Sequence, residues 1–101
     1  MTLHTYNKSL SAGEARLQTC LRMLAPGDSL LLLEDGVYLA MESIGTVPIR
    51  SMTADGVALY ALAPDLAARG ISAKLSADFS AIDYAGFVQL SLAHARVVNW
   101  N

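Results

Sequence analysis

A chain of 101 residues has room for one domain, spanning 1–101, with a core near the small end of the range. It is 53% hydrophobic and only 16% charged, against roughly 25% charged in an average soluble domain, and so short a chain cannot hide that much apolar surface alone. The net charge of −2 and pI near 5.5 exclude a broad cationic surface for nucleic acid. The single cysteine excludes an internal disulfide. No run approaches the roughly 18 apolar residues of a membrane-spanning helix. Assembly with other subunits is therefore the first expectation. Met1-Thr-Leu-His-Thr-Tyr shows no basic region followed by an apolar run, so no signal peptide is expected, and a reducing cytoplasm is the natural setting.

In chain order, Leu3 to Tyr6 reads as a first strand. Ser11-Ala12-Gly13-Glu14 fits a capping box, with the serine hydroxyl taking a backbone N–H and the glutamate reaching back. The helix it opens runs to about Leu24. Leu17, Cys20, Leu21 and Leu24 fall at i, i+3, i+4 and i+7 as one apolar stripe, opposite Glu14, Gln18 and Arg22. Pro26-Gly27 stops the helix. Leu30 to Leu33 are four consecutive leucines with no polar face, which predicts a strand covered on both sides. Asp35-Gly36 follows as a tight turn, with Gly36 permitting backbone that alanine would resist.

Val37 to about Ile44 is expected to be helical, and Gly45 to Gly56 is the least patterned stretch. Val57 to Leu62 reads as a third strand. Pro64 is tolerated in the first turn of a helix that Gly70 ends. Ile71 to Ser80 connects to a short strand at Ala81-Ile82. Asp83 is a good N-cap for a helix from Tyr84 to about His94, and Val97 to Trp100 closes the chain as a strand. Strands alternating with helices predict an α/β fold. About five mostly parallel strands would carry helices on both faces, in a single three-layer Rossmann-like domain centred on the leucine strand. Ligands of such sheets meet the carboxyl ends of the strands, where Glu34 and Asp35 would lie.

No Gly-rich phosphate loop occurs, and no cofactor or metal is expected. His4 and His94 read as packing or hydrogen-bonding residues. Glu34 and Asp35 are adjacent at a strand end and would point in opposite directions, so they cannot form a facing acid/base dyad; Asp35 reads as a turn residue accepting backbone N–H groups. Tyr38, Tyr60 and Tyr84 read as core or interface aromatics. Trp100 is expected to dock against the sheet or a neighbouring subunit. Cys20 is the one strong nucleophile and has two readings: a small hydrophobe on the helix stripe, or a thiol at the edge of that stripe that contacts a partner or carries sulfur. Arg16 and Arg22 are near in sequence, but Cys20 lies past the middle of the helix, away from the N-terminal dipole that would activate it.

Leu3-His4-Thr5 with Ser9, Cys20-Leu21-Arg22, Gly27-Asp28 and the leucine strand resemble the TusB/DsrH family. So do Asp35-Gly36-Val37-Tyr38, Asp65-Leu66-Ala67-Ala68-Arg69-Gly70, Asp83-Tyr84-x-Gly86-Phe87-Val88 and Val98-x-Trp100. The similarity runs over essentially the whole chain, and the order and spacing of the motifs carry it rather than any one of them. Ser43 to Gly56 departs from it, because relatives often have a shorter connection there. The resemblance implies a DsrE-like subunit of a sulfur-relay complex, assembled with TusC/DsrF-like and TusD/DsrE-like chains as a dimer of heterotrimers. That complex hands persulfide sulfur to a TusE/DsrC-like acceptor, for 2-thiouridine in tRNA or, in the Dsr branch, for intracellular sulfur oxidation. The resemblance places the principal sulfur-carrying cysteine on the TusD/DsrE-like partner and makes Cys20 an accessory thiol. Direct tRNA binding by this chain is not expected. When isolated, such a subunit would pair its orphan interface with itself.

Overall fold

The structure, a computed structural model, describes residues 1–41 and 49–100. Five strands form one sheet: β1 (Thr2–Tyr6), β2 (Ser29–Leu32), β3 (Ala58–Leu62), β4 (Ser80–Ile82) and β5 (Arg96–Trp100). Their order is β4-β3-β2-β1-β5 and every neighbouring pair is parallel. The leucine strand is the middle one and is buried along its whole length, as its unalternating sequence requires. Among the described residues, three α-helices connect the strands: α1 (Leu10–Met23), α2 (Ala63–Ala68) and α3 (Tyr84–Ala93).

Alternation along the strands splits the core in two. Tyr6, Leu30, Leu32, Leu59 and Ala61 face one way. They meet the α1 stripe of Leu17, Cys20, Leu21 and Leu24, together with Leu66 of α2, Val37, Ala40 and Phe79. Leu3, Leu31 and Leu62 face the other way, under Phe87 and Leu90 of α3. Parallel crossovers share one hand. The steps from β1 to β4 all move in one direction along the sheet and lay their connections on the first face. The return from β4 to β5 moves the opposite way and puts α3 on the second face.

Local chemistry explains most element ends. The Asp83 carboxylate accepts the Gly86 N–H at 2.8 Å and caps α3 as expected. Gly70, at φ +68°, closes α2. α1 begins at Leu10, so Ser9 rather than Ser11 holds the N-cap position; the side chains of the expected Ser11/Glu14 box lie outside the described ones. The larger difference follows β2. A 3₁₀ helix spans Glu34–Ala40 in place of an α-helix from Val37, and 42–44 lie outside the described residues. The Gly36 N–H bonds to the Leu33 carbonyl at 2.9 Å, an i to i−3 contact. The left-handed residue of this turn is Glu34, at φ 52°. Gly36 is required for a different reason from the one its sequence context suggests: a Cβ there would run into the carbonyl oxygen of Tyr6 on the neighbouring strand. A second 3₁₀ turn, Ile49–Met52, lies in the unpatterned stretch, of which 45–48 fall outside the described residues.

Candidate functional site

The carboxyl ends of β1, β2 and β3 gather Asn7, Glu34, Asp35, Asp65 and Arg69. Asp65 Oδ2 accepts the Glu34 backbone N–H at 2.6 Å, fixing the left-handed turn. Arg69 donates to Asp35 Oδ1 from Nε at 3.1 Å and Nη2 at 2.9 Å. Asp35 therefore meets a guanidinium rather than the backbone N–H groups its turn position suggests. These pairings hold the Arg69 guanidinium above its ordinary pKa, the Asp35 hydrogen bond first. Asn7 Nδ2 reaches Glu34 Oε1 at 3.4 Å, while Asn7 Oδ1 is buried with no partner among the described residues. The cluster ties three loops together: its one cation is neutralised, and Glu34 and Asp35 are engaged with different partners.

Cys20 is 0% exposed and sits among the first-face leucines. Burial pushes its thiol from the ordinary 9.0 up to about 12. In its folded surroundings the sulfur is a protonated, apolar filler. Tyr6 is buried beside it, and its phenol is raised by the same desolvation.

The histidines are both structural partners. His4 Nδ1 accepts the Trp100 indole N–H at 3.0 Å, and the two rings stack with centroids 6.2 Å apart. Its Nε2 faces Asp28 Oδ2 at 3.5 Å. Asp28 also accepts the backbone N–H groups of Thr2 and Ala25, and its carboxyl is held below the usual range by those bonds and by His4, against the opposing pull of desolvation. His94 Nε2 meets Ser29 Oγ at 3.0 Å while Nδ1 meets the Leu90 carbonyl at 2.7 Å. A carbonyl only accepts, so Nδ1 carries the proton and Ser29 donates to Nε2. This contact pins the end of α3 to the central strand. Trp100 thus docks on the sheet, as its position in the sequence suggests.

The outstanding surface feature is α3. Its sequence, Tyr-Ala-Gly-Phe-Val-Gln-Leu-Ser-Leu-Ala, contains no charge, and none of its residues is buried. Tyr84, Val88 and Leu92 stand at i, i+4 and i+8 with 59%, 59% and 82% of their surface exposed. Val97 on β5 is exposed on the same side of the sheet. An amphipathic helix turns its apolar stripe inward. Here Phe87 and Leu90 do so, and a second apolar stripe points outward. Sequence reasoning found the helix but not this stripe; the signal available was the lack of any charged residue between Asp83 and Arg96. No described helix is long and apolar enough to cross a membrane.

The family model for DsrH-like proteins matches residues 10–97. The chain is 42% identical to Protein TusB of Pectobacterium parmentieri over 98 residues, covering 97% of this chain and 99% of that protein. It is 38% identical to Protein TusB of Escherichia coli O81 (strain ED1a) over the same shares. Among solved structures, a protein of unknown function from Methanobacterium thermoautotrophicum superimposes with a TM-score of 0.75 at 13% identity, covering 97% of this chain and 96% of that one. The ychN protein from E. coli does so with 0.68 at 18% identity, covering 97% of both chains. At these identities the structures speak for the fold, and the sequence matches speak for the family. The chain belongs to the TusB/DsrH family of sulfur-relay subunits.

Proposed function

We propose that the chain, acting as one DsrE-like domain over 1–101, is a non-catalytic subunit of a cytoplasmic sulfur-relay complex. In this reading it assembles with TusC/DsrF-like and TusD/DsrE-like chains as a dimer of heterotrimers. The complex passes persulfide sulfur to a TusE/DsrC-like acceptor for 2-thiolation of the wobble uridine of tRNA. The observation that carries the reading is the outward apolar stripe of α3. Large apolar side chains aligned on one exposed face mark an interaction surface, and a covering chain removes them from water.

Cys20 has a passive role in this reading. A persulfide relay needs a thiolate that a sulfur donor can reach. The Cys20 sulfur is out of contact with solvent and its thiol is pushed the wrong way for ionisation. The test is a tagged pull-down from native extract with mass spectrometry, joined to measurement of tRNA 2-thiouridine in a deletion strain. Recovery of TusC-like and TusD-like chains in equal amounts, with 2-thiouridine lost on deletion and restored by Cys20→Ser, is the expected result. A chain recovered only with itself rejects the assembly. Restoration by the wild type but not by a still-assembled Cys20→Ser complex rejects the passive thiol. An unchanged 2-thiouridine level with impaired sulfur oxidation moves the subunit to the Dsr branch.

A further inference from the structure

The C-terminal strand is held on the sheet by an unusual pair of side-chain ties. β5 is an edge strand with β1 on one side only. Beyond its backbone pairing, Thr5 Oγ1 donates to Asn99 Oδ1 at 2.6 Å on one face, and Trp100 Nε1 donates to His4 Nδ1 at 3.0 Å on the other. An indole nitrogen can only donate. His4 Nδ1 must therefore present a lone pair, so the ring is neutral with its proton on Nε2, facing Asp28.

We propose that His4 and Trp100 form an acid-opened clasp on the C-terminal strand. A solvent proton taken up at His4 Nδ1 converts the acceptor of the indole bond into a second donor, ejects Trp100 and loosens β5 from β1. Two N–H groups would then face each other across 3.0 Å, and the imidazolium keeps only its Asp28 contact. The ejected ring has somewhere to go. Trp100 lines an open groove of about 590 Å³ between α1 and β5, with Ala15, Arg16, Thr19 and Asn99.

The surroundings set the direction of the switch. Asp28 is the one charged group acting on His4 among the described residues, and it favours protonation. β2 presents Leu30 and β5 presents Val98 to it. Neither Arg16 nor Arg22 of α1 acts on the ring, and Tyr6 and Cys20 on that face are neutral. Burial outweighs Asp28 and keeps His4 below its ordinary 6.5, so the clasp is shut at neutral pH and opens in acid. Asp28 itself is held below the usual carboxyl range and stays ionised over the same window.

Trp100 is the only tryptophan, so its fluorescence reports the clasp directly. The full chain is titrated from about pH 8 to about pH 4.5, which reaches the upper part of the carboxylate range, with indole and imidazole resonances followed by NMR so that the His4 step is separated from carboxylate titration. The expected result is a one-proton red shift of emission with its midpoint below 6.5, the Trp100 indole N–H and the His4 ring moving together. His4→Gln, whose carboxamide accepts the indole but does not titrate, should lose the step; His94→Gln should keep it. A step that survives His4→Gln, or that His94→Gln abolishes, overturns the clasp. Should His4→Gln not fold, the wild-type spectra decide alone: an indole N–H unmoved while His4 titrates refutes it.

Discussion

The two faces of the sheet are built from the same strands and end up in opposite conditions. The first face lies under α1, α2 and the 3₁₀ segment after β2, and its residues are fully buried around Leu30, Leu32, Cys20 and Leu66. Among the described residues the second face has α3 alone, and no residue of that helix is buried, with Tyr84, Val88 and Leu92 all more than half exposed. Composition does not separate the faces, since both are rich in leucine. Topology does. Three successive crossovers of one hand load one face, and the single return stroke leaves ten residues of helix for the other. The high apolar fraction of the chain is thus localised: the first face is a finished core, and the second is half of one.

The sharpest test of that contrast lies in the finished core. Leu30→Ala removes a fully buried side chain from the middle strand and should cost about 2–5 kcal/mol by chemical denaturation, with little effect on the slope. A loss under about 1 kcal/mol would mean that the first face is not packed as described.

Next in size is Cys20→Ser, which puts a hydroxyl where an apolar filler stood and should cost about 1–3 kcal/mol. The raised thiol pKa gives this site a pH signature. From 9.0 to about 12 is about a thousandfold less thiolate at a given pH. Alkylation of the native chain at mildly alkaline pH should be slower by about that factor than for a free thiol, and denaturant should restore it. The sign for stability follows. A folded pKa above the unfolded one gives a contribution fully present below pH 9.0 and lost as pH climbs toward 12. Labelling of the native chain at the free-thiol rate would place Cys20 at the surface.

Much of this was legible in the sequence because it depends on local period. The unbroken leucines, the i, i+3, i+4, i+7 stripe of α1, the Asp83 cap and the terminal strand need only short windows, and Cys20 shares the burial of its stripe. What escaped depends on contacts distant in sequence. The turn after β2 is tight because Gly36 abuts the Tyr6 carbonyl, and no local rule announces that approach. Arg69 takes Asp35 from 34 positions away. Trp100 finds His4 from 96 positions away because β5 returns beside β1. The open face of α3 escaped for another reason. An apolar helix with no charged side carries no periodic signal, so the sequence shows that it wants burial without showing where.

Asp83→Ala brings the comparison to the second face. The lost bond to the Gly86 N–H should cost about 0.5–2 kcal/mol. Because no residue of α3 is buried, that cost should appear as faster amide exchange along Tyr84–Ala93, while β2 amides stay protected. Equal loss of protection in both places would show that the faces unfold as one unit.

The smallest effect on the isolated chain should come from the stripe itself. Val88→Lys with Leu92→Lys changes side chains already more than half in water, so stability should move by no more than about 0.5 kcal/mol per site. In the assembled complex the same two charges would have to be desolvated against a partner, with no carboxylate expected opposite so apolar a helix, and that costs several kcal/mol. The variant should therefore fold as the wild type does and fail to co-purify with partner chains, whereas Leu30→Ala at a permissive temperature should still bind them. If the double-lysine chain assembles normally, the outward stripe of α3 is ordinary surface, and the partners of this subunit must sit on the first-face side or along the sheet edges.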